Sequence, residues 1–192
     1  MSKKMTVGII AEDESDVSTA KVLIHRIAKN NKIGVQKFLG KGCGKLKRKC
    51  NAWANQLHKK GCSTMIVIHD LDKNNLKELY SKIQESIAPC PIKKYLICIP
   101  IEELEAWFLS DPIAIQKSLK LKKIPKPKGL PENIKSPKET LGKLVDKASE
   151  GEKIYINTKH NEIIAEHLSL DIVKNRCPSF IPFNDFVRQY LR

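Results

Sequence analysis

Short apolar runs alternating with amphipathic segments of helical period predict an α/β fold: a mostly parallel four-stranded sheet flanked by helices, with a helical C-terminal extension. Three observations carry this. The apolar runs are strand-sized, each is followed by a segment with helical spacing, and the pattern changes after about residue 116. Residues 5–11 (MTVGIIA) read as a buried strand. Ser15 or Asp16 is placed to cap the next helix, whose stripe is Val17, Ala20, Ile24, Ile27 and Ala28. Residues 33–39 (IGVQKFL) give a second strand, followed by the glycine-rich loop Gly40–Gly44. Leu46, Cys50, Trp53, Ala54 and Leu57 then mark a second helix, stopped at Gly61. Residues 63–69 (STMIVIH) form the third strand. A third helix carries Leu76, Leu79, Tyr80, Ile83 and Ile87 and is closed by Pro89 and Pro91. Residues 94–99 (KYLICI) are the fourth strand, with a fourth helix expected from near Glu102. Alternation of this kind makes βαβ units and hence parallel pairing.

The remainder is read as an extension packed on a core of residues 1–116, not as a separate domain. Residues 117–135 form a Lys- and Pro-rich basic loop. Ser136-Pro137-Lys138-Glu139 has a capping-box pattern with Pro at the first helical position. Residues 136–192 then read as helical. The length, 192 residues with 41% hydrophobic content, suits one compact domain. No apolar run reaches the roughly 18–20 residues of a membrane span. The segment MSKKMTVGIIAED turns acidic too soon for a secretory signal. The six cysteines (43, 50, 62, 90, 98 and 177) include no CxxC pair, so they are read as reduced core residues of a cytoplasmic protein.

The formal net charge is +14, and its location matters more than its size. Residues 17–69 hold 12 Lys and Arg and no acid, contributing +12. Residues 1–16 sum to −2 and residues 70–192 to +4. A basic stretch bracketed by acidic clusters points to a polyanion site beside a metal-binding centre.

The acidic clusters each follow a strand: Glu12, Asp13, Glu14 and Asp16 after the first, Asp70 and Asp72 after the third, and Glu102, Glu103 and Glu105 after the fourth. That edge of a parallel sheet is where ligands bind. Crowded carboxylates repel one another unless a cation neutralises them, and hard oxygen donors favour Mg²⁺ or Mn²⁺. The candidate ligands are Glu12, Asp16, Asp70, Asp72 and Glu105, which suit two ions. On extended backbone Asp70 and Asp72 would face one ion site, with Leu71 turned to the core. Asp16 and Asp72 would equally serve as helix caps. On the basic side, Lys41, Lys45, Lys47, Arg48 and Lys49 follow a strand and open a helix, a setting for phosphate contact. The loop is not a Walker A motif, since Leu39 and Leu46 stand where Gly and Ser/Thr are needed. No His pairs with Cys at metal-ligand spacing, and His69 is read as strand packing.

The motifs Ala11-Glu12-Asp13-Glu14-Ser15-Asp16 and Ile68-His69-Asp70-Leu71-Asp72 resemble the Toprim catalytic domain, with Asp13 where a Gly is usual. Pro100-Ile101-Glu102-Glu103-Leu104-Glu105-Ala106-Trp107-Phe108-Leu109-Ser110-Asp111 resembles a segment of stand-alone Toprim-like proteins. These are similar to the Toprim half of the overcoming-lysogenization-defect (OLD) nucleases. Tyr155, Lys159 and Cys177-Pro178-Ser179-Phe180 extend the resemblance. It implies a Toprim-like, Rossmann-like fold and metal-dependent cleavage of nucleic acid, DNA first and RNA second. It also implies a setting in antiviral defence beside an ABC-type ATPase. The implied catalytic residues are Glu12, Asp70, Asp72 and Lys159, with Glu12 either a metal ligand or a general acid/base. Two other readings stand beside this one. One is a non-catalytic nucleic-acid-binding or regulatory subunit of a defence or repair complex. The other is a phosphohydrolase or phosphotransferase built on Asp70-Leu71-Asp72. The sequence does not determine oligomeric state.

Overall fold

The computed structural model describes residues 5–40 and 43–192, without the side chains of residues 43–45 and 47. The fold is α/β and Rossmann-like. Strands β1 (Thr6–Ala11), β2 (Gly34–Leu39), β3 (Thr64–Ile68) and β4 (Lys94–Cys98) form one sheet in the order β2-β1-β3-β4. Every pairing is parallel, with Val7 opposite both Val35 and Thr64, and Thr64 opposite Lys94.

Alternation along the strands builds two cores. Val7, Ile9 and Ala11 of β1, with Ile66 and Ile68 of β3, face one side. There they meet Ala20, Leu23, Ile24 and Ile27 of α1 (Glu14–Ala28). Ile10, Met65, Val67 and Ile97 face the other side, against α2 (Cys43–Lys59) and α3 (Leu76–Ile87). Gly8 lets α2 approach closely, since a Cβ there would stand 2.7 Å from Leu57 Cδ1. Leu76 and Tyr80, expected in the buried stripe of α3, are exposed.

The first core continues through α4 (Glu105–Leu109), α5 (Pro112–Leu119), α6 (Pro137–Ser149), α7 (Asn157–His167), α8 (Leu170–Arg176) and α9 (Phe180–Tyr190). Trp107 is fully buried and meets Phe180 edge-on at 5.0 Å, and its Nε1 donates to Ser179 Oγ at 2.9 Å. Arg26 donates to the Ala165 and Leu168 carbonyls, both at 2.6 Å, so the end of α7 is held by a cation from α1. The basic segment begins inside α5 at Lys117. It then runs without regular structure to a 3₁₀ turn at Pro131–Asn133. Leu121 and Pro125 are buried along it, and Lys123 N–H donates to the Ala148 carbonyl at 3.0 Å.

Two expected helix starts move, and a third keeps its place without its expected cap. Asp13, not Ser15 or Asp16, caps α1: its Oδ1 accepts from Ser15 N–H at 2.9 Å, and its own N–H donates to Asp16 Oδ2 at 3.2 Å. That reciprocal pair is a capping box with Asp in the Glu position. The helix expected from Glu102 begins at Glu105, because Glu102 takes a left-handed φ of 60°. Helix α6 does start at Pro137, but Ser136 has φ 48° and its side chain caps nothing. Glu103 Oε2 accepts from Lys138 N–H instead, at 2.7 Å.

Candidate active site at the carboxyl ends of the strands

The strand order reverses direction between β1 and β3: from β1 the chain moves outward to β2, then crosses back to β3. Side chains just past the ends of β1 and β3 therefore border a crevice with no crossover above it. Glu12 follows β1, and His69 and Asp70 follow β3.

His69 is fully buried. Its Nε2 lies 3.2 Å from Glu12 Oε1, close enough for an ion pair but without hydrogen-bond alignment. Its Nδ1 lies 2.7 Å from the Asp70 carbonyl oxygen. The buried imidazole thus lies between the Asp70 carbonyl and the Glu12 carboxylate. Asp70 Oδ1 accepts from Leu104 N–H at 3.0 Å, which ties the β3 end to the start of α4. Glu105, 5% exposed, stands in the first turn of α4. Its Oε1 is within reach of the Tyr155 hydroxyl at 3.0 Å and accepts from Asn161 Nδ2 at 3.2 Å. The Tyr155 hydroxyl also lies against Asn161 Oδ1, so its single proton serves one oxygen at a time. Asn157 Nδ2 donates to Ser15 Oγ at 3.1 Å, next to Asp16. Helix α7 and the residues before it thus brace two corners of the crevice.

These carboxylates act on one another. Burial pushes Asp16 up to about 8; repulsion from Asp13, Glu105 and Glu12 adds to this, and the Asp13 N–H partly offsets it. Asp70 is pushed well above the ordinary aspartate range, first by burial and then by Asp16, Glu105, Glu12 and Asp72. Burial and Glu105 also hold the Tyr155 phenol in its protonated form. Glu12, Asp16, Asp70 and Glu105 therefore share one crowded, poorly solvated volume.

Asp72 stands apart. The strand ends at Ile68 and Asp72 has φ 48°, so the extended spacing expected to align it with Asp70 is broken. Its N–H donates to the Glu102 carbonyl at 2.9 Å. Its side chain lines a shallow cavity with Lys73, Asn74, Glu102, Glu103 and Ser136. Leu71 packs on the second core, as expected. Lys159 is exposed on α7 and, among the described residues, makes no ion pair with the carboxylates. Of the basic candidates, Lys41 lies outside the described residues, and the side chains of Lys45 and Lys47 are not described. Arg48 and Lys49 are exposed on α2. Sequence reasoning missed His69 as the partner of Glu12, and it missed Asn157 and Asn161. A buried His beside an Asp carries no pattern that marks its partner. Asn161 lies four residues before Ala165 on an unremarkable helix.

The donor set is all hard oxygen, in keeping with Mg²⁺ or Mn²⁺. Burial and mutual repulsion at Asp16 and Asp70 are what a cation would relieve. Among the described residues, no three His, Cys, Asp or Glu groups already converge in a coordination shell.

Fold and site together define an α/β protein with an acidic crevice at the switch point of a parallel sheet. The family model of a domain of unknown function (DUF4276) matches residues 11–188, and the chain belongs to that family. It has no significant match among curated proteins or among solved structures. No described helix is long and apolar enough to cross a membrane.

Proposed function

We propose that the chain is a metal-dependent nuclease of Toprim type, cleaving phosphodiester bonds in the crevice between β1 and β3. The observation that carries this reading is the crowding of Glu12, Asp16, Asp70 and Glu105 at the switch point, with the carboxyls of Asp16 and Asp70 driven toward their neutral forms. Such a cluster is costly to the fold and has an evident use in binding divalent cations. Bound Mg²⁺ or Mn²⁺ would supply Lewis acidity and lower the pKa of a bound water. The chain's own part is to hold the cations with Asp16, Asp70, Glu105 and Glu12, with Asp72 at the rim. His69 stands against Glu12, while Tyr155 and Asn161 both engage Oε1 of Glu105. By the Toprim resemblance, Glu12 would serve either as a metal ligand or as the general acid/base. The basic stretch through residue 69 would hold the phosphates, by backbone contact and without sequence readout.

The test is cleavage of labelled DNA and RNA with Mg²⁺ or Mn²⁺, comparing wild type with Asp70→Asn and Glu12→Gln. Both variants are expected to lose at least a hundredfold in rate while keeping nucleic-acid binding. Equal cleavage by all three would sink the site assignment. The second reading, a nucleic-acid-binding or regulatory subunit without catalysis, draws on the absence of three converged donors among the described residues. It requires that Mn²⁺ neither stabilise the protein nor support cleavage. A cytoplasmic location follows from the reduced-cysteine reading. The ABC-type ATPase partner and the defence setting rest on the resemblance alone.

A further inference from the structure

We propose that the groove between α1 and the outer strand β2 is the track along which a nucleic-acid backbone enters the carboxylate crevice. What the track leads to rests on the nuclease reading above; what it holds rests on the groove itself. Its lining takes Lys21 and His25 from α1, Gln36 and Lys37 from β2, and Lys32 and Lys60 from the turns that follow α1 and α2, so that it wraps the sheet edge. One end lies at Thr6 and Gly34, where the strands begin. The other reaches Glu14, two residues from both Glu12 and Asp16. The groove therefore runs along the sheet edge and ends beside the acids.

Its charge is uneven in a useful way. Two carboxylates line it, Glu14 and Glu162, and Glu14 is already paired with Lys37. Lys21 and Lys32 are exposed, and among the described residues neither makes an ion pair. Lys60 lies 5.1 Å from the Phe38 ring centroid, a contact that leaves its charge in place. His25 is anchored through Nε2, 2.9 Å from the Ile33 carbonyl oxygen, which fixes the turn that carries Lys32. Lysine ammonium groups bind phosphates as point charges. No aromatic residue lines the groove, so it offers no platform for base stacking. The fit is to a phosphate backbone read without regard to sequence. An acidic polypeptide is the other polyanion, but the groove is mostly polar and lacks the enclosed apolar pocket that seats a peptide anchor.

A chain of net charge +14 attracts any polyanion, so the test has to separate place from total. Binding of labelled 20-nucleotide single strands and 20-base-pair duplexes would be followed by anisotropy in EDTA. The proteins are wild type, the pair Lys21→Glu/Lys32→Glu, and the pair Lys77→Glu/Lys93→Glu. The last pair makes the same change in net charge on α3 and just before β4, at the opposite sheet edge. The groove pair should weaken binding roughly tenfold or more and lower the slope of log K against log salt by about two. The distant pair should weaken it less than threefold, with the slope unchanged. Equal losses in the two variants would overturn the proposal, as would displacement of the oligonucleotide by polyglutamate as readily as by unlabelled DNA. Cleavage with Mn²⁺, measured separately, distinguishes the two levels. Groove-dependent binding with no cleavage by wild type would support the track and reject the nuclease. Cleavage with unchanged KM in the groove pair would keep the nuclease and reject the track.

Discussion

Asp16 and Asp70 keep protons that exposed carboxyls would release, and this sets a pH dependence with a definite sign. In the unfolded chain an aspartate titrates near its ordinary 3.8, whereas in the fold Asp16 holds its proton up to about 8. Between those values the folded state binds more protons than the unfolded state, so stability falls as pH rises. The metal-free protein should lose stability steadily from about pH 4 to about pH 8, read as urea midpoints in EDTA. Asp16→Asn should flatten that decline. Asp70→Asn should do so as well, because an amide oxygen can still accept from Leu104 N–H. A decline as steep in both variants as in wild type would reject the assignment. Added Mn²⁺ should raise the melting temperature more at pH 8 than at pH 5, since protonated carboxyls bind cations poorly. At this scale the sequence reveals the acids, because carboxylates just past strand ends stand out. It hides their partners: His69 reads as strand packing, and its contact with Glu12 exists only once β1 and β3 lie side by side.

Individual elements separate acids that look alike in sequence. Glu102, Glu103 and Glu105 fall within four residues, yet Glu103 serves helix α6 and Glu105 serves the crevice. Glu103→Ala removes the acceptor for Lys138 N–H and should cost about 1 kcal/mol in denaturant unfolding, with the response to Mn²⁺ intact. Tyr155→Phe should do the reverse. It removes a hydroxyl from Glu105 and should weaken Mn²⁺ stabilisation several-fold in ligand concentration, while stability changes by no more than about 1 kcal/mol. If Tyr155→Phe leaves the Mn²⁺ titration unchanged, α7 does not position Glu105. Strands and helices were legible from period and length. Their starts were not, because Asp13, Ser15 and Asp16 are all competent caps and only the backbone decides among them. Asp72 shows the same limit, since its left-handed φ is invisible in a DxD spacing.

The whole molecule depends on its last third. One face of the sheet is covered by α1 together with helices from α4 onward, and Trp107 is buried against Phe180 and Phe183. Trp107→Ala should cost roughly 3–5 kcal/mol. A chain ending at residue 150 would strip α7, α8 and α9 from that face, Phe180 and Phe183 with them, and should fail to unfold cooperatively by tryptophan fluorescence. The reading of an extension packed on a core captures the helices but understates their role. They supply partners for Glu105 and Ser15 as well as cover for the core. Those hydrogen bonds join residues 50 to 142 positions apart. A chain emerging from the ribosome has Glu12, Asp70 and Glu105 long before it has Tyr155, Asn157 and Asn161. Under the proposed function, an unfinished chain therefore carries the acids of a nuclease without the braces that orient them. On that reading competence would arrive only after most of the polypeptide has been made, and no half-built nuclease would stand beside the messenger RNA that encodes it.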